Sequence, residues 1–144
     1  VVSLPARGGA LVGDYLPGAG FAVVWVHGFG SHRGGEKSAA VRDACRERGW
    51  AFAAFDFHGH GASSGLMHDL RASRLVDDLD TVHSYLAGRG HPRIGLVGSS
   101  MGGFASAWFA VTHPGVAVGC AFVAPGFRFL SNRWERLTEA ERAE

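Results

Sequence analysis

Long hydrophobic runs, basic blocks and a cysteine framework are all missing from this sequence. Its longest uninterrupted apolar stretches, residues 21–26 and 51–55, fall far short of the roughly 20 residues that a membrane-spanning helix needs. A membrane partner is therefore not expected. The 14 basic residues include a single lysine, Lys37, and face 13 acidic ones for a net charge of +1. The arginines are scattered, so nucleic acid and other polyanions are not expected as partners either. There are two cysteines, and Cys45 and Cys120 sit in apolar patterns on a helix and a strand. Two buried free thiols in a reducing, cytoplasmic compartment are the expectation, not a disulfide. The first residues show no charged segment followed by an apolar one, so no signal peptide is expected. Internal repeats and low-complexity tracts are absent.

What is present is a chain with 47% apolar residues, enough for one globular domain with a real core. Residues 1–4 and 10–16 read as a hairpin turning through residues 5–9, with Pro17-Gly18 as a stop. Residues 21–26 and 51–57 read as strands covered on both faces, as in a largely parallel sheet. Residues 36–48 predict a helix with Ala40, Val41, Ala44 and Cys45 on one stripe, closed by Gly49. A second helix, 72–87, places Leu75, Val76, Leu79, Val82 and Leu86 inward and turns Asp77, Asp78 and Asp80 mostly to water. A strand at 94–97, an amphipathic helix at 104–113 and a strand at 116–123 follow. Strands alternating with helices through short loops imply βαβ units with helices on both faces of the sheet.

Gly98-Ser99-Ser100-Met101-Gly102 lies between the strand at 94–97 and the helix after it. A G-x-S-x-G motif needs that context to act as a nucleophile elbow. Glycines at 98 and 102 allow strand and helix to approach closely around a strained, exposed serine. The helix start offers unpaired N–H groups and a positive dipole end to a developing oxyanion. Ser100 is the candidate nucleophile. His58-x-His60 could begin a metal site, but two imidazoles fall short of the three protein ligands of a catalytic zinc, and Gly59 and Gly61 suit a turn. No metal is expected. His32, His68, His83 and His91 are isolated and read as surface or loop residues.

His27-Gly28-Phe29-Gly30, Asp56-Phe57-His58-Gly59-His60-Gly61-Ala62-Ser63 and Gly98–Gly102 follow successive strands in the order and spacing of the α/β-hydrolase family. Residues 10–126 thus resemble that family, most closely its small serine esterases and thioesterases of the palmitoyl-protein type. The resemblance implies a serine hydrolase that needs no cofactor. It implies an acyl-enzyme on Ser100 and an oxyanion hole from the backbone N–H groups of Phe29 and Met101. It implies a small-molecule ester or thioester substrate. His27 would brace its loop, and Asp56 and Ser63 would hydrogen-bond the glycine loop around them.

The family order is Ser, then Asp or Glu, then His. After Ser100 there is no Asp and one histidine, His113. Along a continuous helix His113 would lie about 20 Å from the serine, too far for a base. The expectation is an incomplete α/β-hydrolase fold: residues 1–126 form the N-terminal part of the core. Residues 127–144, with Glu135, Glu139, Glu141 and Glu144 and a possible cap at Thr138, begin a cap insertion. A C-terminal segment of the same hydrolase would then supply acid and base. The alternative is a catalytically silent binding or scaffold module of the same fold. Phe29, Met101, Phe127, Phe129 and Trp134 are candidates for an acyl pocket or simply for core; the substrate-binding residues are unknown.

Overall fold

The computed structural model describes residues 1–128, 131 and 135–139. Of the residues singled out above, Phe129, Trp134, Glu141 and Glu144 lie outside the described residues.

Six strands form one sheet. Strands β1 (Val2–Ala6) and β2 (Gly9–Leu16) make an antiparallel hairpin. The hairpin turns at Arg7-Gly8 and not at Pro5, which pairs with Ala10 inside β1. Proline is tolerated there because β1 is an edge strand, where a missing N–H breaks no ladder. Strands β3 (Ala19–Val26), β4 (Trp50–Phe55), β5 (Ile94–Ser99) and β6 (Ala117–Val123) are mutually parallel. The order is β1-β2-β4-β3-β5-β6, with β2 antiparallel to β4. β4 ends at Phe55, two residues before the expected 57. The Phe57 N–H donates to His27 Nε2 at 3.0 Å, so the chain has already left the ladder.

Period-two alternation along β3 divides the core in two. Val23 and Trp25 pack with Phe52, Ala54 and Cys45 beneath helix α1 (Glu36–Glu47). Val24 and Val26 pack on the other face with Leu75, Leu79, Val82 and Leu86 of α2 (Ala72–Ala87) and with Ala105 and Phe109 of α3 (Met101–Thr112). Helices therefore cover both faces, as the alternation predicts. The buried stripe of α1 runs through Ser38 and Cys45, while Ala40 is exposed. The helical period carries Ser38 onto the same face as Cys45 seven residues later, and Ala40 falls off it. Helix α3 starts directly after Ser100, three residues before the expected 104, and it is not amphipathic: Trp108 and Val111 are exposed apolar residues. Both thiols are free; Cys45 is buried and Cys120 half-buried. Among the described residues no helix is long and apolar enough to cross a membrane.

Asp78 corrects the reading of α2. It is buried, and its carboxylate accepts the His58 backbone N–H at 2.8 Å and faces His58 Nδ1 at 2.7 Å and Arg74 Nε at 3.5 Å. Apolar periodicity does not register an acid that is buried because a partner 20 residues away meets it. His91 is likewise buried, with Nε2 at 3.1 Å from the Tyr15 hydroxyl and Nδ1 at 2.7 Å from the Gly20 carbonyl.

Candidate active site

The C-terminal ends of parallel strands are where ligands bind in α/β sheets. Here those ends carry three loops, after β3, β4 and β5. Ser100 follows β5 immediately, exposed, with φ 51° and ψ −117°. A non-glycine residue in that region stores about 1–3 kcal/mol and persists only where its surroundings hold it. Four backbone bonds do so. The Ser100 N–H donates to the Val123 carbonyl at 3.0 Å, and its own carbonyl accepts from Gly103 at 2.9 Å, Phe104 at 3.3 Å and Gly126 at 2.8 Å. The turn is thus fastened both to the end of β6 and to the start of α3. Among the described residues the hydroxyl of Ser100 has no hydrogen-bond partner.

Gly102 is where β3 and α3 touch. A Cβ there would overlap the carbonyl of Val26 and sit 2.6 Å from that of His27. Backbone cannot retreat as a flexible side chain can. Gly102→Ala is therefore expected to cost about 1–3 kcal/mol, the usual penalty of overpacking. An unchanged urea midpoint would show that α3 slides freely on β3.

The β3 loop passes beside the serine. A Cβ on Gly28 would lie 3.4 Å from Ser100 Cβ and 4.0 Å from its Oγ. The Ser31 N–H donates to the Gly28 carbonyl at 3.2 Å across Phe29-Gly30. Gly30 has φ 68°, the sign a type II turn requires at its third position. Phe29 is half-buried with its ring 5.8 Å from that of His60. Met101 is fully buried, and as the first residue of α3 its N–H has no acceptor within the helix. Of the other apolar-pocket candidates, Phe127 is 53% exposed and meets Phe122 edge to face at 5.4 Å.

His27 is buried below this loop. Its Nε2 accepts from the Phe57 N–H, so Nδ1 carries the proton that it donates to the Gly28 carbonyl at 2.7 Å. Burial pushes its pKa down to about 4, against the pull of the Gly28 carbonyl, so the ring is neutral near pH 7. His27 ties the loops after β3 and β4 together.

Arg33 ties them again. Its backbone N–H and Nη1 each donate to the Asp56 carboxylate at 2.6 Å, and its Nε donates to Asp14 at 2.8 Å. The Ala62 N–H completes the set on Asp56 at 3.0 Å. Burial alone would raise the Asp56 carboxyl. The Ala62 and Arg33 amides and the guanidinium outweigh it and hold the group below the ordinary carboxylate value. Ser63 donates to the Asp56 carbonyl at 2.6 Å and accepts from the Val12 N–H at 2.8 Å. Asp56 and Ser63 therefore do what their loop suggested. Arg33 escaped sequence reading, because its partners lie 19 and 23 residues away and nothing local marks the pairing.

Among the described residues none of the eight histidines hydrogen-bonds Ser100. His27 is described above, and His58 holds Asp78. His60 Nδ1 lies 3.0 Å from the His58 carbonyl, and His91 holds Tyr15. His32 accepts from Gly34, His68 faces Asp69, and His83 faces the Pro92 carbonyl. His113 stacks on Phe109 at 4.1 Å, with Nδ1 at 3.0 Å from the Phe109 carbonyl, just past the far end of α3. Among the described residues, no group of three or more His, Cys, Asp or Glu side chains is placed to hold a metal ion.

The fold agrees with what the chain is similar to. The profile of the serine aminopeptidase S33 family matches residues 19–142. The mitochondrial palmitoyl-protein thioesterase ABHD10 of mouse is 31% identical over 99 residues, 69% of this chain and 32% of that protein. Its bovine counterpart is 29% identical over 122 residues, 85% of this chain and 39% of that protein. The chain thus spans about a third to two-fifths of the length of these relatives. In structure, mouse α/β-hydrolase domain-containing protein 10 superposes with a TM-score of 0.85 at 24% identity, covering 99% of this chain and 56% of that one. The esterase Est1E of Butyrivibrio proteoclasticus, solved with ferulic acid, gives 0.87 at 19% identity, covering 96% and 58%. The sheet is the parallel core of the α/β-hydrolase fold, in part, and the chain belongs to the serine aminopeptidase S33 family of α/β-hydrolases.

Proposed function

We propose that the protein is a serine hydrolase that cleaves carboxylic esters or thioesters through an acyl-enzyme on Ser100. One observation carries the reading: an exposed serine held at φ 51° between β5 and α3, its hydroxyl beside the β3 loop. Strain of this kind is maintained where a side chain must be aimed. In the proposed reaction, Ser100 Oγ bonds to the substrate carbonyl carbon as its proton passes to a base. The backbone N–H groups of Phe29 and Met101 receive the oxyanion, each contributing about 3–4 kcal/mol. The alkoxide or thiolate then leaves with a proton, and water hydrolyses the ester on Ser100 to release the acid. No cofactor enters. In this reading a C-terminal segment of the same hydrolase supplies the acid and base, since among the described residues no histidine hydrogen-bonds Ser100. The names of the thioesterase relatives favour a thioester with a long acyl chain. Two free thiols suit a reducing, cytoplasmic setting.

The absence of a base near Ser100 among the described residues also supports a second reading, a binding or scaffold module with an inert serine. Covalent labelling separates the two. A fluorophosphonate probe added to the complete protein is expected to give one adduct, on the peptide containing Ser100, as read by mass spectrometry. No adduct at Ser100 would favour the silent module.

A further inference from the structure

Phe29, the proposed oxyanion donor of the β3 loop, stands in a stretch of backbone that does little to fix itself. Residues 28–35 include four glycines, at 28, 30, 34 and 35, and Gly30 and Gly35 have φ 68° and 99°. Glycine leaves more backbone states open than any other residue. From Gly30 to Lys37 every residue is exposed except the half-buried Arg33. The near end of the loop is fastened by the His27 ring on the Gly28 carbonyl and by the Ser31–Gly28 bond. Further along, Arg33 alone of residues 30–35 bonds to another element, among the described residues.

What Arg33 holds does not move. Asp56 follows β4 directly, its side chain is fully buried, and its N–H donates to the Val12 carbonyl of β2 at 2.9 Å. A Cβ on Gly61 would overlap its carboxylate, so the seat is closed from that side too. Arg33 meets this carboxylate twice, through its N–H and its Nη1, and reaches Asp14 of β2 with Nε. The rigid guanidinium fork serves two carboxylates at once, which a single ammonium on a flexible stem cannot do in the same geometry. Resting on the acyl-enzyme reading of Ser100, we infer that Arg33 is a positioning residue for hydrolysis. By pinning the β3 loop to Asp56 and Asp14, it fixes where the Phe29 N–H stands relative to Ser100 Oγ. Arg33 touches no reacting atom. Its effect falls on the transition state, because a donor displaced by about 1 Å can cost about 10²-fold in rate.

The test is steady-state hydrolysis of p-nitrophenyl butyrate by the complete protein, with kcat expressed per active site titrated by a fluorophosphonate. Protein lost to unfolding then drops out of the rate, so a purely structural role leaves kcat per site unchanged. Arg33→Met is expected to lower it about 10²-fold, inside the range of about 10²–10³ for losing one oxyanion donor outright. KM should stay within about twofold, as befits a contact made only in the transition state. Arg33→Lys keeps the charge beside Asp56 but not the fork, and is expected to restore part of the rate, to about 10-fold below wild type. It also decides the matter should Arg33→Met fail to fold. Wild-type kcat per site in both variants, or a change confined to KM, would overturn the role of Arg33 and leave the hydrolase reading standing. A wild-type protein that takes up no fluorophosphonate would overturn the acyl-enzyme reading, and the role of Arg33 with it.

Discussion

Ser100→Ala is expected to lower kcat for ester or thioester hydrolysis by the complete protein at least about 10⁴-fold, the scale set by removing a nucleophile from other serine hydrolases. Stability should scarcely move, within about 0.5 kcal/mol. The hydroxyl has no partner to lose among the described residues, and alanine keeps the Cβ and hence the strain at φ 51°. Ser100→Gly separates the two effects. Glycine adopts positive φ at little cost, so it releases about 1–3 kcal/mol of strain against about 0.4–1 kcal/mol of added chain entropy. This variant should be as inactive as Ser100→Ala yet more resistant to urea. Full hydrolysis by Ser100→Ala would sink the proposed mechanism. Equal stability of the alanine and glycine variants would mean that the turn stores no strain.

Asp56→Ala should be the most damaging change to stability, at about 3–5 kcal/mol, the usual cost of breaking a buried ion pair by removing one partner. The side chain is fully buried, and its three donors come from Arg33 and Ala62. Its loss leaves the Arg33 guanidinium, 21% exposed, without its shorter contact. It also removes one of the two ties between the loop of Phe29 and the loop after β4, leaving the His27–Phe57 bond, so any hydrolase activity should fall with stability. A shift in urea midpoint worth less than about 1 kcal/mol would show that Asp14 alone holds Arg33.

The same residues predict the response to acid. His27 is held neutral in the folded protein, down to a pKa of about 4 from 6.5, whereas the unfolded chain takes up a proton as pH falls below 6.5. Protons then favour the unfolded state, and stability declines from about pH 6.5 towards 4. Asp56 acts lower. Its folded pKa lies beneath the model-compound value of 3.8, so its contribution is complete above that value and is lost as pH falls through the folded one. Asp56→Asn should flatten the lowest part of a stability–pH curve and leave the decline between pH 6.5 and 4 in place. A wild-type curve flat from pH 7 to 4 would contradict the buried, neutral His27.

Much of this molecule was legible in one dimension because its signals are local. Uninterrupted apolar runs marked β3 and β4 as covered on both faces, and glycine at 98 and 102 around Ser100 marked a tight strand-to-helix turn. Even there, locality had limits. Pro5 looked like a turn and is an edge-strand residue, and α3 looked amphipathic yet exposes Trp108 and Val111. Three-dimensional structure decided what depends on partners distant along the chain. Arg33 finds Asp14 and Asp56, Asp78 leaves the water its helical period promised in order to meet His58, and His91 is drawn inward by Tyr15 and the Gly20 carbonyl. Periodicity measures how often a side chain avoids water. It carries no information on whether a buried charge will be met, because the desolvation cost falls on one residue and the compensating bond comes from another.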